Sequence, residues 1–218
     1  MKYGVLGTGD VARIIATKLI ALGHEVMMGA RNAANAKAAD WAEANGGRAF
    51  NGTFADAASF GSRVFLCVQG IHALEALEAA RRDNLISKVL IDLTNPYIYK
   101  DGHISLAPRW CGTSCLGEAV QEFLPETKVV KTLNYLCNTL MTCPDRLPQP
   151  ITGFYCGNDA AAKAEVAALL SDFGWTDTLD LGDIGMSRYT EMLGAFWPAA
   201  LNATGNMEWG FRLVRNNK

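Results

Sequence analysis

The chain carries no excess of either charge. Its 20 Lys and Arg stand against 22 Asp and Glu, for a formal net charge of −2 over 218 residues. A nucleic-acid binder needs a basic face to neutralise phosphates, so that class is excluded. Long hydrophobic runs are also missing. No stretch approaches the ~20 uncharged apolar residues of a membrane helix, and the most apolar N-terminal helix candidate carries Arg13 and Lys18. No membrane partner is expected. Lys2 is followed by a short apolar run and a glycine turn, not by an extended apolar region. The N-terminus therefore does not read as a signal peptide, and a cytoplasmic location is expected.

Metal-ligand spacing is another absence. The six cysteines are Cys67, Cys111, Cys115, Cys137, Cys143 and Cys156. Neither His103 with Cys111 and Cys115, nor Cys137 with Cys143, gives the C-x-x-C or H-E-x-x-H pattern of a zinc site, so no metal is expected. A chain of this length buries an adequate core without staples, so no disulfide is expected either, and most of the thiols read as small buried hydrophobes. Histidine is scarce, with only His24, His72 and His103. His24 falls in a turn, His72 follows the strand turn Cys67-Val68-Gln69-Gly70, and His103 falls in a loop. No repeat, low-complexity tract or long linker interrupts the chain.

What is present is a globular composition, half hydrophobic and 19% charged, arranged as alternating strand and helix patterns. Strands are expected at 2–6, 25–28, 63–68, 88–93, 128–133, 151–156 and 176–181. Helices are expected at 10–22, 33–44, 73–82, 116–123 and 159–173. That alternation indicates βαβ units, hence an α/β fold with a doubly wound, mostly parallel sheet and helices on both faces. Beyond Gly182 the pattern becomes a helical segment over 187–214, interrupted at Pro198 and around Gly205 and Gly210. Residues 1–182 then form a nucleotide-binding domain, and 183–218 a helical cap or dimerisation segment.

The sharpest motif is Gly7-Thr8-Gly9-Asp10-Val11-Ala12, a G-x-G-x-x-A between an expected strand and an expected helix. Gly7 permits the tight turn, Gly9 lets the backbone approach a pyrophosphate, and Ala12 keeps the helix close to the strand. The helix N-terminus offers N–H groups and partial positive charge to the anion. The second strand selects the dinucleotide. An NAD site usually places a carboxylate at that strand's end to hold the ribose 2′-hydroxyl. Here the strand runs into Gly29-Ala30-Arg31-Asn32. Arg31 can pair with a 2′-phosphate, and Lys37 can add charge, so the expected cofactor is NADP(H).

With Val5–Ala12 and Gly29–Asn32, four further segments carry a resemblance: Asp92–Pro96, Val129–Asn134, Gly157–Lys163 and Asp180–Glu191. In this order they resemble the NADPH-dependent reductases of the deazaflavin coenzyme F-420, a family related to the cytosolic domains of ferric reductases. The resemblance implies a Rossmann-like domain with a C-terminal helical cap, usually homodimeric. It implies cofactor contacts from Gly7, Thr8, Gly9, Asp10, Val11, Ala30, Arg31, Asn32, Lys37, Cys67, Val68, Gln69, Asn95 and Pro96. A flat flavin-like acceptor, coenzyme F-420 or a flavin, would stack beside the nicotinamide near Asn134 and Tyr135. Arg188 is assigned to the junction of the C-terminal helix.

The chain departs from the family in places. Ala30 stands where the family often has serine, and Thr132-Leu133-Asn134-Tyr135 stands where it commonly has Ala-Phe-Asn-Thr. Residues 98–115 and 136–143 match nothing assignable. Hydride transfer to a flavin-like ring needs position and a dry cleft more than side-chain acids or bases, so no catalytic acid or base is nominated. Two rival enzyme families, the 3-hydroxyacid dehydrogenases and pyrroline-carboxylate reductases, add a large helical domain, whereas only 36 residues follow Gly182 here. A non-catalytic NADPH-binding redox sensor, or an NADPH-dependent flavin or ferric reductase, is the alternative reading.

Overall fold

The β-branched and aliphatic runs of the sequence become the buried strands of one twisted sheet. The structure, a computed structural model, describes residues 1–100 and 103–216. In chain order the elements are β1 (Lys2–Leu6), α1 (Asp10–Ala21), β2 (Glu25–Ala30), α2 (Ala36–Asn45), β3 (Ala49–Thr53), α3 (Phe54–Phe60), β4 (Arg63–Leu66), α4 (Ala73–Ala79) and β5 (Val89–Asp92). There follow β6 (Tyr97–Lys100), β7 (His103–Leu106), α5 (Leu116–Phe123), β8 (Lys128–Thr132), α6 (Asn138–Thr142), β9 (Gly153–Gly157), α7 (Ala160–Phe173), β10 (Thr178–Asp180) and α8 (Ser187–Thr204).

Among the described residues the main sheet has the order β3-β2-β1-β4-β5-β8-β9-β10. It is parallel from β3 to β8. β9 then runs antiparallel to β8, with Val130 opposite Gly157, and β10 is parallel to β9. Successive strand residues point to opposite faces. Val5, Phe65 and Val130 therefore enter one apolar layer with Ile15, Leu19 and Leu170. Leu6, Leu66 and Val129 enter the other with Leu77, Leu116 and Val120. This is the doubly wound α/β fold. Strand order reverses on either side of β1, which leaves a crevice at the carboxyl ends of β1 and β4, where such folds bind ligands.

Several local expectations are corrected. β3 and α3 occupy a stretch that carries no expected element. α3 begins with a capping box: Thr53 accepts the Asp56 N–H, and Asp56 accepts the Thr53 N–H at 2.9 Å. β6 and β7 form an antiparallel pair, so His103 lies in a strand and not in a loop. α2 starts at Ala36, because Asn35 accepts the Ala38 N–H and caps the helix there. α8 runs unbroken through Pro198 to Gly205, which takes φ 65° and ends it. The ring of Pro198 opposes only the carbonyl of Gly194, and one lost hydrogen bond does not outweigh the packing of an 18-residue helix. Residues 206–216 are not helical. They return to the start of β9, where the Phe211 carbonyl accepts the Thr152 N–H at 2.8 Å and the Trp209 and Phe211 rings meet edge to face at 5.3 Å.

Candidate active site

β1 ends at Leu6, and Gly7 turns with φ 133°. Its N–H donates to the Gly29 carbonyl at 3.0 Å, which ties the loop to β2. A Cβ at Gly7 would collide with the Cys67 carbonyl, so only glycine permits this approach. Gly9 is the N-cap of α1 and no side chain caps that end. A Cβ on Gly9 would meet nothing within 4 Å, so the helix N-terminus opens onto free space. A cavity of about 670 Å³ lies above it, lined by Gly7, Thr8, Gly9, Ala30, Arg31, Asn32, Cys67, Val68 and Gln69. Its size suits a small-molecule or cofactor site. Uncapped N–H groups, close backbone and an arginine at the end of β2 are the donors that a phosphorylated dinucleotide requires, so these residues fit NADP(H).

The structure thus gathers nine of the sequence-chosen cofactor residues around one cavity. It also brings His72, which follows the Cys67–Gly70 turn, to the cavity, and adds Asn35, Phe54, Glu75, Ala76 and Ala79. Of these, the Asn35 cap was readable locally; the others come from α3 and from the stretch around α4, whose placement is set by tertiary packing. His72 Nδ1 lies 3.0 Å from Glu75 Oε2 at the rim. Burial pushes the Cys67 thiol up, and the Asp92 carboxylate adds to the effect. Cys67 is therefore an uncharged wall residue.

Other nominated residues lie elsewhere. Asp10 and Lys37 line a separate open hollow between α1 and α2, with Arg13 and Asp40. Val11 packs against the core beneath α1. Asn95 and Asn134 form their own cluster at the ends of β5 and β8. Asn134 Nδ2 donates to Asn95 Oδ1 at 2.8 Å, and Asn95 Nδ2 donates to the Asn134 carbonyl. Pro96 is buried beside them. Tyr135 is corrected as an acceptor contact. It is 1% exposed, and its hydroxyl donates to the Thr152 carbonyl at 3.2 Å and accepts the Phe154 N–H at 2.6 Å. Leu133, with φ 60°, turns the chain so that Tyr135 goes into the core.

The remaining family-like segments build a buried ionic network that sequence reasoning missed. Lys131 Nζ sits 2.7 Å from Asp92 Oδ2 and 3.3 Å from Glu191 Oε1. Burial alone disfavours the ammonium, but the two carboxylates outweigh it and hold Lys131 above its ordinary value. Burial raises Glu191, opposed by Lys131 and by the Leu116 and Gly117 N–H groups it accepts. Arg188 braces the same junction: its Nη2 donates to both Glu118 carboxylate oxygens, at 3.0 and 3.1 Å.

Known proteins resemble the chain over much of its length. The family model for coenzyme F420-dependent NADP oxidoreductases matches residues 2–96. A solved protein from Arthrobacter sp. FB24, titled as a candidate F420-dependent NADP-reductase, is 39% identical, with 99% of this chain and 100% of that chain covered and a TM-score of 0.92. The rat metalloreductase STEAP3 is 27% identical over 193 residues, 88% of this chain but 36% of that protein. The chain thus spans about a third of that relative's length. The imine reductase of Streptomyces aurantiacus shares the fold, at 24% identity and a TM-score of 0.63, over 93% of this chain and 64% of that one. Fold and site together define a Rossmann-type, NADP-dependent oxidoreductase. The chain belongs to the family of coenzyme F-420-dependent NADP oxidoreductases. No helix of the described residues is long and apolar enough to cross a membrane.

Proposed function

We propose that the chain transfers hydride between NADP(H) and a flat, flavin-like acceptor, with the deazaflavin coenzyme F-420 as the first choice. The observation that carries this reading is the cavity over Gly7–Gly9, with Arg31, in place of a carboxylate, directly after the end of β2. The Arthrobacter relative's description supports the choice of acceptor. Bound NADPH supplies a hydride at nicotinamide C4. The chain's own part is positional. The Gly7–Gly9 backbone and the α1 N-terminus hold the pyrophosphate, and Arg31 reads the 2′-phosphate. Cys67, Val68 and Gln69 wall the middle of the cleft. Asn95, whose carbonyl packs on Gly70 next to that wall, marks the nicotinamide end, where the acceptor docks, with buried Asn134 bonded behind it. Such alignment replaces acid–base chemistry as the source of rate. The active particle is a homodimer, built on residues 183–218 as its cap.

A flavin or ferric-chelate acceptor is the second reading, favoured by the similarity to a metalloreductase. The test is loss of NADPH absorbance at 340 nm with F-420, FMN, FAD and ferric chelates offered separately. The expected result is turnover with F-420 at the highest kcat/KM. Turnover with ferric chelates or flavins alone favours the second reading, and none with any acceptor contradicts both.

A further inference from the structure

The buried ionic network lies outside the cofactor cavity, and the element of each member leads to or touches Asn95 or Asn134. Asp92, Lys131 and Glu191 are 0%, 0% and 1% exposed. Asp92 ends β5, directly before the loop that carries Asn95. Its Oδ1 accepts the Thr94 N–H at 2.8 Å and the Thr94 hydroxyl at 2.6 Å. Lys131 stands on β8, just before Leu133 and Asn134. Leu133 holds a left-handed φ of 60°, a conformation costly for a branched residue and kept only where surroundings over-determine it. Glu191 lies on α8, and its carboxylate also accepts the Leu116 N–H at 3.1 Å and the Gly117 N–H at 3.0 Å.

One turn beyond Glu191, α8 touches the amide pair at Gly194. A Cβ there would lie 2.6 Å from Tyr97 Oη and 3.0 Å from both the Asn134 carbonyl and Asn95 Oδ1. The helix is therefore seated on Asn95 and Asn134 at the one residue small enough to allow it. A buried ion pair costs much of what it returns, and apolar packing holds a helix as firmly. What directional charges add is register: a slide or rotation of α8 unpairs Glu191 from Lys131 and from the two N–H groups at once.

We propose that Asp92, Lys131 and Glu191 are positioning residues that seat α8 on the Asn95–Asn134 pair and so fix the nicotinamide end of the cleft. They touch neither cofactor nor acceptor. This rests on the reading that hydride transfer occurs at that end. It follows that disturbing the network lowers kcat while NADPH is still held at the glycine loop and Arg31, which no member of the network touches.

The experiment compares wild type, Glu191→Gln, Gly194→Ala and the double variant. It measures NADPH Kd, the fluorescence lifetime of bound NADPH, and kcat and KM with F-420, or with FMN if F-420 is not turned over. Each single variant is expected to keep NADPH Kd within about threefold, to alter the lifetime, and to lower kcat about tenfold or more, the scale of a small misplacement. Because both act through the seating of α8, the double variant should lose no more than the worse single one. Losses that multiply, an NADPH affinity that falls in step with kcat, or either folded single variant with unchanged kcat and lifetime overturns the proposal. If Glu191→Gln does not fold, Glu191→Asp, which keeps the charge but shortens its reach to Lys131, takes its place with the same expectations. If wild type turns over no acceptor, the functional reading fails, while Kd and lifetime still decide the positioning role.

Discussion

Lys131 Nζ and Asp92 Oδ2 lie 2.7 Å apart, both wholly buried, on the adjacent parallel strands β8 and β5. Removing the cation leaves Asp92 and Glu191 as uncompensated carboxylates in the interior. Lys131→Met should therefore destabilise the protein by about 3–5 kcal/mol, the cost of breaking a buried pair by taking one partner. Equilibrium urea unfolding of the two proteins checks this, and a loss under about 1 kcal/mol would contradict a wholly buried pair.

Acid should loosen α7 through its cap. Asp159 accepts the Ala162 N–H at 2.8 Å, and that bond, aided by Lys128, holds its carboxyl below the ordinary 3.8. A depressed folded value means the stabilisation is complete above the unfolded value and disappears as pH falls through the folded one. The difference in Tm between wild type and Asp159→Ala should be full at pH 6, shrink below pH about 4 and vanish in stronger acid. A difference independent of pH would show that the charge has no part in the cap.

The segment after Gly205 should be needed for a stable particle. Trp209 and Phe211 are half-buried, and Phe211 also packs on Tyr135 at 6.3 Å. Glu208 accepts bonds from Thr139 at 3.0 Å and Arg146 at 2.7 Å. Half the burial value of a large side chain for each aromatic gives roughly 1.5–3 kcal/mol together. A chain ended after Gly205 should melt several degrees lower and bind an apolar dye. An unchanged melting temperature would show that the segment contributes nothing to the fold.

What was legible in the sequence was local. The Gly7–Ala12 turn, β1, α1 and α7 announce themselves by glycine spacing and by apolar and Ala/Leu-rich runs. β3 escaped because Ala-Phe-Asn-Gly-Thr is an edge strand with no period. α3 left one readable sign, the Thr53/Asp56 box. Asp101-Gly102, between Tyr97–Lys100 and His103–Leu106, is a residue pair typical of hairpins and is the sequence sign of those two strands. The site's second half was not legible, since Asp92, Lys131 and Glu191 meet only when three distant segments pack. Tyr135 was misplaced because the turn at Leu133 sends neighbours in sequence to different surroundings.

The central claim is that the cavity over Gly7–Gly9 binds NADP(H) and that Arg31 reads its 2′-phosphate. Titration of NADPH and NADH against wild type and Arg31→Ala tests it most directly. A charge-assisted hydrogen bond predicts that the variant loses about 1.5–3 kcal/mol toward NADPH, roughly tenfold to a hundredfold in Kd, while NADH binding barely changes. Equal losses for the two cofactors, or none for either, would contradict the account.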